Sequence, residues 1–254
     1  MVNKSLKNKK IINSAGASGI GLATAKVCLS RGAYVYLCDI DNKSLNKLNK
    51  NPLINKRLFK YNCDASDESQ VLDLFKKISK KTKKIDALIN NVGVAGPTGS
   101  LEKLRSKDWE KTIQVDVNSH FYFTKKSIPL LKKSKNGSII NISSIAGLVG
   151  LSNCSAYNAS KGGVRLLTKN IAVEYGEFNV RCNSIHPGFM ATNMNDPKVV
   201  AERGRDINAL TDAIPLKRMG TAEDIANCAL FLASDESVYV TGSEYTVDAG
   251  LTAK

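Results

Sequence analysis

The sequence predicts an α/β domain with a central, mostly parallel sheet of seven strands and helices on both faces. Short β-rich runs alternate with longer helical patterns over most of the 254 residues, which is typical of βα units around a parallel sheet. An apolar content of 43% supplies enough side chains for a core. Because no linker, low-complexity tract or repeat of roughly 20–50 residues interrupts the alternation, we expect a single domain over residues 1–254.

Each element follows from its local pattern, taken in chain order. The strands are predicted at 10–14 (KIINS), 33–39 (AYVYLCD), 56–61, 85–90 (IDALIN), 137–143 (GSIINIS), 180–186 (VRCNSIH) and 244–248. The helices are predicted at 19–31, 42–50, 67–82, 106–133, 155–176, 197–211 and 221–233. The helix over 67–82 is the clearest, because Val71, Leu74, Phe75 and Ile78 form one apolar stripe with lysines on the other face.

The chain is strongly basic, with 37 Lys and Arg against 23 Asp and Glu and a formal charge of +14. Much of the positive charge lies in four stretches without acids, at residues 1–10, 43–60, 76–84 and 125–135. Such an excess raises the question of a nucleic acid or membrane partner. Because the second half of the chain is slightly acidic, we interpret these lysines as a solvent-facing surface and expect neither partner.

The cysteines and the N-terminus indicate a cytoplasmic protein. The six cysteines include no C-x-x-C pair, and their spacing is unlike that of a disulfide framework. We therefore expect free thiols in a reducing compartment. The basic first ten residues lead into only two apolar residues, unlike a signal peptide. No apolar run approaches the roughly 18 residues of a membrane span. His120 and His186 lack metal-ligand spacing with Cys, Asp or Glu, so no metal is predicted.

The first predicted strand leads into a glycine-rich loop and then a helix. Glycines at such a turn let backbone N–H groups approach a diphosphate, and the helix N-terminus adds about half a positive charge. Asp39 ends the next strand, 18 residues after Gly21, near the roughly 20 expected of an acid that binds an adenosine ribose. Its carboxylate would repel a 2′-phosphate, so NAD is predicted over NADP. The predicted contacts here are Ser14, Gly16, Ser18, Gly19, Ile20, Gly21, Asp39 and Ile40.

Tyr157 and Lys161 are four residues apart in a predicted helix and therefore share one face. For the phenol to act as a base near neutral pH, its pKa must fall by about three units, or about 4 kcal/mol. A cation about 4 Å away at an effective dielectric constant of about 20 supplies about 4 kcal/mol. The pair therefore suits proton transfer, although the spacing alone also occurs by coincidence.

Further motifs follow in a fixed order along the chain. They are the turn Asn90-Asn91-Val92-Gly93, Asn118, the NISS run ending at Ser144, YNASK at 157–161 and His186-Pro187-Gly188. Together with the glycine loop, this series resembles the short-chain dehydrogenase/reductase family, in its compact single-domain, NAD-dependent branch, from about residue 8 to the end. The resemblance implies a doubly wound Rossmann-type fold.

The resemblance also implies reversible hydride transfer between a nicotinamide and a secondary alcohol or its ketone. Tyr157 would be the general acid/base, and Lys161 would lower its pKa and bind the nicotinamide ribose. Ser144 would bind the substrate oxygen, and Asn118 would hold a water that links Lys161 to solvent. The other implied cofactor contacts are Asp64, Ala65, Asn91, Gly93, Pro187, Gly188, Met190 and Thr192. The implied substrate pocket comprises Ser144, Cys154, Tyr157, Gly188 and Met194, under a lid at about residues 189–213.

Two alternative functions stay open at this point. A 3-oxoacyl-(acyl-carrier-protein) reductase is one, since basic patches suit an acidic carrier protein, although Asp39 argues against the NADPH that such enzymes prefer. A non-catalytic polyanion-binding protein is the other, and it leaves the serine, tyrosine and lysine set unexplained. Arg203 and Arg205 in the lid could hold an anionic substrate, but a solvated helix face explains them better.

The family resemblance further implies a homotetramer or homodimer, paired through the helices at 106–133 and 155–176. Three positions depart from the family pattern. Ala15 and Ala249 stand where glycine is usual, and Val92 stands where alanine is usual. At Ala15 we expect altered loop packing with cofactor binding retained, and we expect Val92 and Ala249 to be tolerated.

Overall fold

The computed structural model describes residues 5–48, 56–202 and 206–253, and its centre is a seven-stranded sheet. The strands are β1 (Lys10–Asn13), β2 (Tyr34–Asp39), β3 (Leu58–Asn62), β4 (Ala87–Asn90), β5 (Gly137–Ile142), β6 (Val180–Pro187) and β7 (Glu244–Val247). Their order is β3-β2-β1-β4-β5-β6-β7, and every neighbouring pair is parallel. The predicted fold class is confirmed, and the sheet within the described residues is wholly parallel.

Nine α-helices lie within the described residues. They are α1 (Gly19–Ser30), α2 (Asn42–Lys47), α3 (Glu68–Lys81), α4 (Ser106–Ile113), α5 (Ser119–Leu131), α6 (Ser155–Tyr175), α7 (Pro197–Glu202), α8 (Ile207–Ala213) and α9 (Ala222–Ala233). Local sequence explains where several begin. Asp41 caps α2 and Asp67 caps α3 through their carboxylates, and Thr221 forms a capping box with Asp224 at α9.

Two predicted helices are divided in the structure. The helix expected over 106–133 consists of α4 and α5, joined by a π-helical segment at Gln114–Asn118. The helix expected over 197–211 consists of α7 and α8, and residues 203–205 between them lie outside the described part. The hypothesis about Arg203 and Arg205 therefore concerns residues that the structure does not describe, as do positions 49 and 50 of the helix predicted at 42–50.

The core forms two apolar layers, one on each face of the sheet. Because side chains alternate along a strand, Ile11, Ile89 and Ile140 face one way, and Ile12, Leu88 and Ile139 face the other. The first set packs against α1 and α9, and the second packs against α3, α5 and α6. Helices on both faces explain why the strands read as continuous apolar runs. The carboxyl ends of the strands are left as the edge where the connecting loops meet.

The charged and thiol groups lie largely where the sequence indicates. The buried stripe of α3 comprises Val71, Leu74, Phe75 and Ile78, whereas the lysines between 76 and 84 are exposed. The six cysteines form no disulfide with one another, and burial raises the pKa of Cys28 to about 12 and that of Cys228 to about 11. Within the described residues, the helices are all too short or too polar to cross a bilayer.

Candidate active site

A cavity opens at the carboxyl edge of the sheet, between the loops that follow β1, β4, β5 and β6. Segments far apart in sequence contribute to its wall. The residues predicted from sequence that line it are Ser18, Gly19, Ile20, Asn91, Gly93, Ser144, Cys154, Tyr157, Lys161, Pro187, Gly188, Met190, Thr192 and Met194. The doubly wound topology brings these segments together, because the chain reverses its direction of travel across the sheet between β1 and β4.

The glycine loop is shaped by close packing as well as by ligand access. A Cβ at Gly16 would lie 2.5 Å from Leu37 Cγ, and one at Gly21 would lie 2.2 Å from the backbone oxygen of Ala15. These two glycines therefore allow the loop to pack on β2 and on itself. Gly19 has φ +48°, and a Cβ there would make only ordinary contact with Thr192, whose Cγ2 would be 3.8 Å away. It is the glycine of this loop that meets the cavity.

Ala15 adopts a left-handed backbone with φ +48°. This conformation costs an L-residue about 1–2 kcal/mol, whereas glycine adopts it freely. Ala249, another departure from the family pattern, has φ +56°. Both alanines therefore hold a left-handed backbone, which the sequence alone did not predict.

The N-terminus of α1 suits an anionic group. Ser18 is its N-cap residue but donates and accepts no capping hydrogen bond through its side chain, and the first turn carries no acid. The N–H groups of such an uncapped first turn, together with the helix dipole, attract phosphate. Because Ser18, Gly19 and Ile20 line the cavity, a diphosphate fits here.

Asp39 braces the glycine loop from the end of β2. Its Oδ2 accepts from Ala17 N at 2.9 Å and its Oδ1 accepts from Asp41 N at 2.9 Å, and the residue is 9% exposed. Asp64 lies on the neighbouring chain segment after β3, where its Oδ1 accepts from both the backbone and the hydroxyl of Ser66. Ile40 is exposed and Ala65 is buried beside these acids. Each carboxylate thus has a structural role in addition to its predicted ligand role.

The predicted catalytic serine and lysine are held at the end of β5. Ser144 is 7% exposed, and its Oγ accepts from Ala146 N at 3.1 Å. Lys161 is 3% exposed, and its Nζ donates to Ile142 O at 3.2 Å and lies 5.7 Å from the centroid of the Tyr157 ring. Ser143 donates to Lys161 O at 2.9 Å. The ammonium is therefore fixed between the strand end and the half-buried phenol ring.

The Asn-Asn-Val-Gly turn after β4 joins the glycine loop to this lysine. Asn91 donates from its Nδ2 to Ala15 O, and its backbone N–H donates to Ser14 Oγ. A Cβ at Gly93 would lie 2.9 Å from Lys161 Nζ. Asn90 lies beneath the site and donates to Asn141 Oδ1 and Thr124 Oγ1. Gly93 therefore provides the space that the ammonium occupies.

Asn118 ends the π-helical segment, and its Nδ2 donates to Gln114 Oε1. Asn118 is absent from the cavity wall as far as the described residues define it. Its role in holding a water next to Lys161 stays a prediction.

Two buried polar residues at the site were not predicted as functional. Asp116 is fully buried in the π-helical segment and accepts from Val94 N and Ser160 Oγ, each at 2.8 Å. Burial raises the pKa of its carboxyl group, and the charge of Lys161 opposes that rise. A sequence signal did exist, since Asp116 is an acid between two valines just before Asn118.

The second such residue is His186, which lies against the backbone of Ser144. Its Nδ1 is 2.9 Å from Ser144 O, and its Nε2 is 2.8 Å from Ser184 Oγ. A carbonyl oxygen only accepts, so Nδ1 carries the proton and Nε2 accepts from the serine hydroxyl. Burial lowers the pKa of His186, which favours this neutral form.

Comparison with known proteins agrees with this geometry. A family model described as enoyl-(acyl carrier protein) reductase matches residues 14–252. The chain is 36% identical to a 3-oxoacyl-(acyl-carrier-protein) reductase of Thermotoga maritima, over 97% of this chain and 98% of that protein. It is 33% identical to a cyclopentanol dehydrogenase of Comamonas sp. and 35% identical to an NADP-dependent (R)-specific alcohol dehydrogenase of Lentilactobacillus kefiri, each over 98% of both chains.

The fold is similarly close to a solved structure. The crystal structure of gox2181 superposes with a TM-score of 0.92 at 25% identity, over 100% of both chains. The family match, the relatives and the parallel sheet agree on one family of oxidoreductases that use nicotinamide cofactors. The chain belongs to the short-chain dehydrogenase/reductase family.

Proposed function

We propose that this protein is an NAD-dependent oxidoreductase that interconverts a secondary alcohol and the corresponding ketone. The observation that carries the proposal is one cavity lined both by Ser144, Tyr157 and Lys161 and by the uncapped N-terminus of α1. The three side chains supply groups for proton transfer, and the helix N-terminus supplies a binding place for a diphosphate. A single domain over residues 1–254, with its lid at about 189–213, is part of this proposal.

The cofactor end favours NAD. The first-turn N–H groups of α1 would bind the diphosphate, and Asp39 would accept hydrogen bonds from the adenosine ribose. Its carboxylate, held at the loop by Ala17 N, would repel the extra phosphate of NADP. When bound, the nicotinamide supplies the carbon that accepts or gives the hydride.

The protein's own side chains would manage the proton. Lys161 would act on Tyr157 as a fixed positive charge, because its buried ammonium lies 5.7 Å from the ring centroid. Tyr157 takes the hydroxyl proton when the alcohol is oxidised and returns it when the ketone is reduced. Ser144 donates a hydrogen bond to the same substrate oxygen and so orients the carbon that exchanges the hydride.

The cavity favours a neutral and compact substrate. Beyond the catalytic groups, its wall includes Ile145, Leu151, Cys154, Phe189 and Met194, and Lys161 is the one charged residue among the described lining residues. An apolar wall binds hydrocarbon and leaves a carboxylate without a partner. The similarity to enzymes named for cyclopentanol and for cyclohexanol supports small neutral alcohols.

A 3-oxoacyl-(acyl-carrier-protein) reductase is the second candidate function. It is favoured by the 36% identical relative of that name, and the description of the matching family model also names an acyl-carrier-protein enzyme, an enoyl reductase. The two candidates differ in cofactor and in substrate. A KM for NADPH at or below that for NADH, together with turnover of 3-oxoacyl thioesters, would establish the second candidate in place of the first.

We also propose a homotetramer or homodimer in the cytoplasm. Apolar side chains are exposed on α4, α5 and α6, including Trp109, Phe121, Leu166 and Val173, the last at 87%. Such residues are typical of a surface that another subunit covers. The free thiols favour a reducing compartment. The molar mass in solution, by light scattering, tests the assembly.

The central experiment is NAD⁺ reduction across neutral secondary alcohols, hydroxy acids and polyols, repeated with NADP⁺. We expect the fastest turnover with NAD⁺ and a neutral alcohol. Tyr157→Phe should lower kcat by about 100- to 10,000-fold while NADH binding, followed by fluorescence, is retained. Tyr175→Phe at the far end of the same helix is the matched control. Retained turnover in Tyr157→Phe would refute the assigned role.

A further inference from the structure

Asp116 is a buried acid that the proposed proton transfer does not use. It is 0% exposed and lies in the π-helical segment between α4 and α5. A fully buried carboxylate is costly unless it is paired and hydrogen-bonded. Segments of this kind with one widened turn are uncommon and occur often at functional sites. The structure therefore raises the question of what Asp116 holds in place.

Its two oxygen atoms bind two different walls of the cavity. Oδ1 accepts from the backbone N–H of Val94, at 2.8 Å, just after the turn that contains Gly93. Oδ2 accepts from the hydroxyl of Ser160, at 2.8 Å, on α6 immediately before Lys161. The carboxylate thus links the loop after β4 to the helix that carries both Tyr157 and Lys161.

Ser160 extends this link to the tyrosine. Its Oγ is also 2.9 Å from the backbone oxygen of Tyr157. The hydroxyl therefore lies between the carboxylate and the helical turn that separates the phenol from the ammonium. Movement of Asp116 would be transmitted to this turn.

The lysine ammonium is close to the same carboxylate. A Cβ built at Gly93 would lie 2.9 Å from Lys161 Nζ and 3.7 Å from Asp116 Oδ1. The sum of these distances places the two atoms no more than 6.6 Å apart. At such a separation in a buried site, the opposite charges of the two groups stabilise each other, while a hydrogen bond to Ile142 O fixes the position of the ammonium.

The other titratable group next to Asp116 carries no charge. His120 follows on α5 and is 1% exposed, and burial lowers its pKa to about 3, so it is neutral. Among the described residues around this carboxylate, Lys161 on α6 is therefore the charged group that interacts with it, and the Tyr157 ring lies 5.7 Å from the same ammonium.

We propose that Asp116 is a positioning residue that fixes Lys161 and the Val94 segment relative to Tyr157. This proposal rests on the proposed function, because it assigns Asp116 to the proton-transfer site. Asp116 touches neither substrate nor the reacting atoms. It acts by fixing the position of the Val94 segment relative to α6, the helix that carries Tyr157 and Lys161.

Two substitutions separate the hydrogen bonds from the charge. Asp116→Asn keeps the shape, since Oδ1 can accept from Val94 N while Nδ2 donates to Ser160 Oγ, whose own proton can go to Tyr157 O. Asp116→Ala removes both bonds. We expect Asp116→Ala to lower the single-turnover rate of NADH formation by about 10- to 100-fold, as small displacements of reacting groups do. Asp116→Asn should stay within about threefold of the wild-type rate, and KM for NAD⁺ should change little in both.

A second readout does not depend on turnover. Difference absorption titration of the cofactor-free protein, wild type minus Tyr157→Phe, follows the Tyr157 phenol itself. Asp116→Asn removes a negative charge while the lysine stays in place, so the pKa of Tyr157 should fall relative to wild type. Asp86→Asn is the matched control, because Asp86 is a buried carboxylate that accepts from Lys10 N and Ser134 Oγ at the opposite edge of the sheet. It should leave the titration unchanged.

Several results would overturn the proposal. Turnover of Asp116→Ala within twofold of wild type would do so, and so would Asp116→Asn being as impaired as Asp116→Ala. If Asp116→Ala does not fold, Ser160→Ala provides the test, since it removes only the bridging hydroxyl and should still slow the single-turnover step. An unchanged rate in Ser160→Ala would then overturn the proposal. A wild-type protein without dehydrogenase activity would refute the proposed function alone, because the phenol titration can still be measured.

Discussion

The imidazole of His186, in β6, hydrogen-bonds the backbone oxygen of Ser144, which lies just after β5. The nitrogen and oxygen atoms are 2.9 Å apart. The other ring nitrogen bonds Ser184 Oγ at 2.8 Å. A neutral histidine with both nitrogens engaged thus supports the strand end that presents the serine to the cavity. The same carbonyl oxygen also accepts from Gly147 N at 2.9 Å, so the imidazole is one of its two donors.

We expect His186→Phe to destabilise the fold by about 0.5–1.5 kcal/mol, because it removes one of the two hydrogen bonds to the Ser144 carbonyl. It should also lower kcat by about tenfold if Ser144 shifts. Chemical denaturation and steady-state kinetics measure the two effects. Ser184→Ala removes only the bond on the far nitrogen and is the control. A stability loss without any change in kcat would limit His186 to a structural role.

The buried histidines predict a pH dependence of stability. The pKa of His120 is lowered to about 3 in the folded protein, against about 6.5 when unfolded. Between these values the unfolded state binds more protons, so stability is full above about pH 6.5 and falls as the pH is lowered. The loss from His120 should reach about 2 kcal/mol at about pH 5. Urea denaturation above about pH 6.5 and at about pH 5 measures this loss of stability. His120→Gln should weaken the pH dependence. An equally steep dependence in that variant would contradict the assignment.

Gly93 predicts a direct test of the lysine position. A methyl group there would lie 2.9 Å from Lys161 Nζ, so Gly93→Ala should displace the ammonium and lower kcat by about 10- to 100-fold. Gly162→Ala is the matched control, because a Cβ at Gly162 on α6 has no neighbour within 4 Å. It should retain activity and stabilise the helix by up to about 1 kcal/mol. Equal activity of the two variants would argue against the placement of Lys161.

Ala15 predicts a stabilising substitution. Its φ of +48° is costly for alanine, so Ala15→Gly should raise the free energy of unfolding by about 0.5–1 kcal/mol, after the greater freedom of glycine in the unfolded chain is counted. Ala17→Gly, in the same loop but without a positive φ, should instead destabilise. Thermal denaturation compares the two, and a lower Tm for Ala15→Gly would contradict the strain.

Asp39 predicts the cofactor preference. Asp39→Ser should raise KM for NADH and reduce the preference for NADH over NADPH by about tenfold or more, equivalent to about 1.4 kcal/mol, because the charge that repels a 2′-phosphate is gone. Asp41→Ser provides the control, since Asp41 caps α2 through Lys43 N and Ser44 N. That variant should lose about 1 kcal/mol of stability and keep its preference. The measurement is the ratio of the kcat/KM values for NADH and NADPH. An unchanged ratio in Asp39→Ser would refute the role of Asp39 in cofactor preference.

The extent of prediction from sequence differs between the fold and the site. The seven strands and the stripe of α3 are local patterns, so periodicity predicted them within a few residues. The π-helical segment was missed, because one widened turn leaves the helical pattern on either side almost unchanged. The roles of Asp116 and His186 were missed because their partners are distant along the chain. Asp116 bonds residues 22 and 44 positions away, and His186 bonds one 42 positions away.

By itself, the sequence determined the fold class, the glycine loop, and the serine, tyrosine and lysine motif, since each depends on residues close together along the chain. Only the tertiary structure decided which groups meet Lys161, which glycines serve packing, and that Ala15 holds a left-handed turn. These features depend on parallel strands whose carboxyl ends converge at one edge of the sheet. Contacts across that edge join loops from separate βα units, so their geometry is fixed only when the whole sheet is assembled.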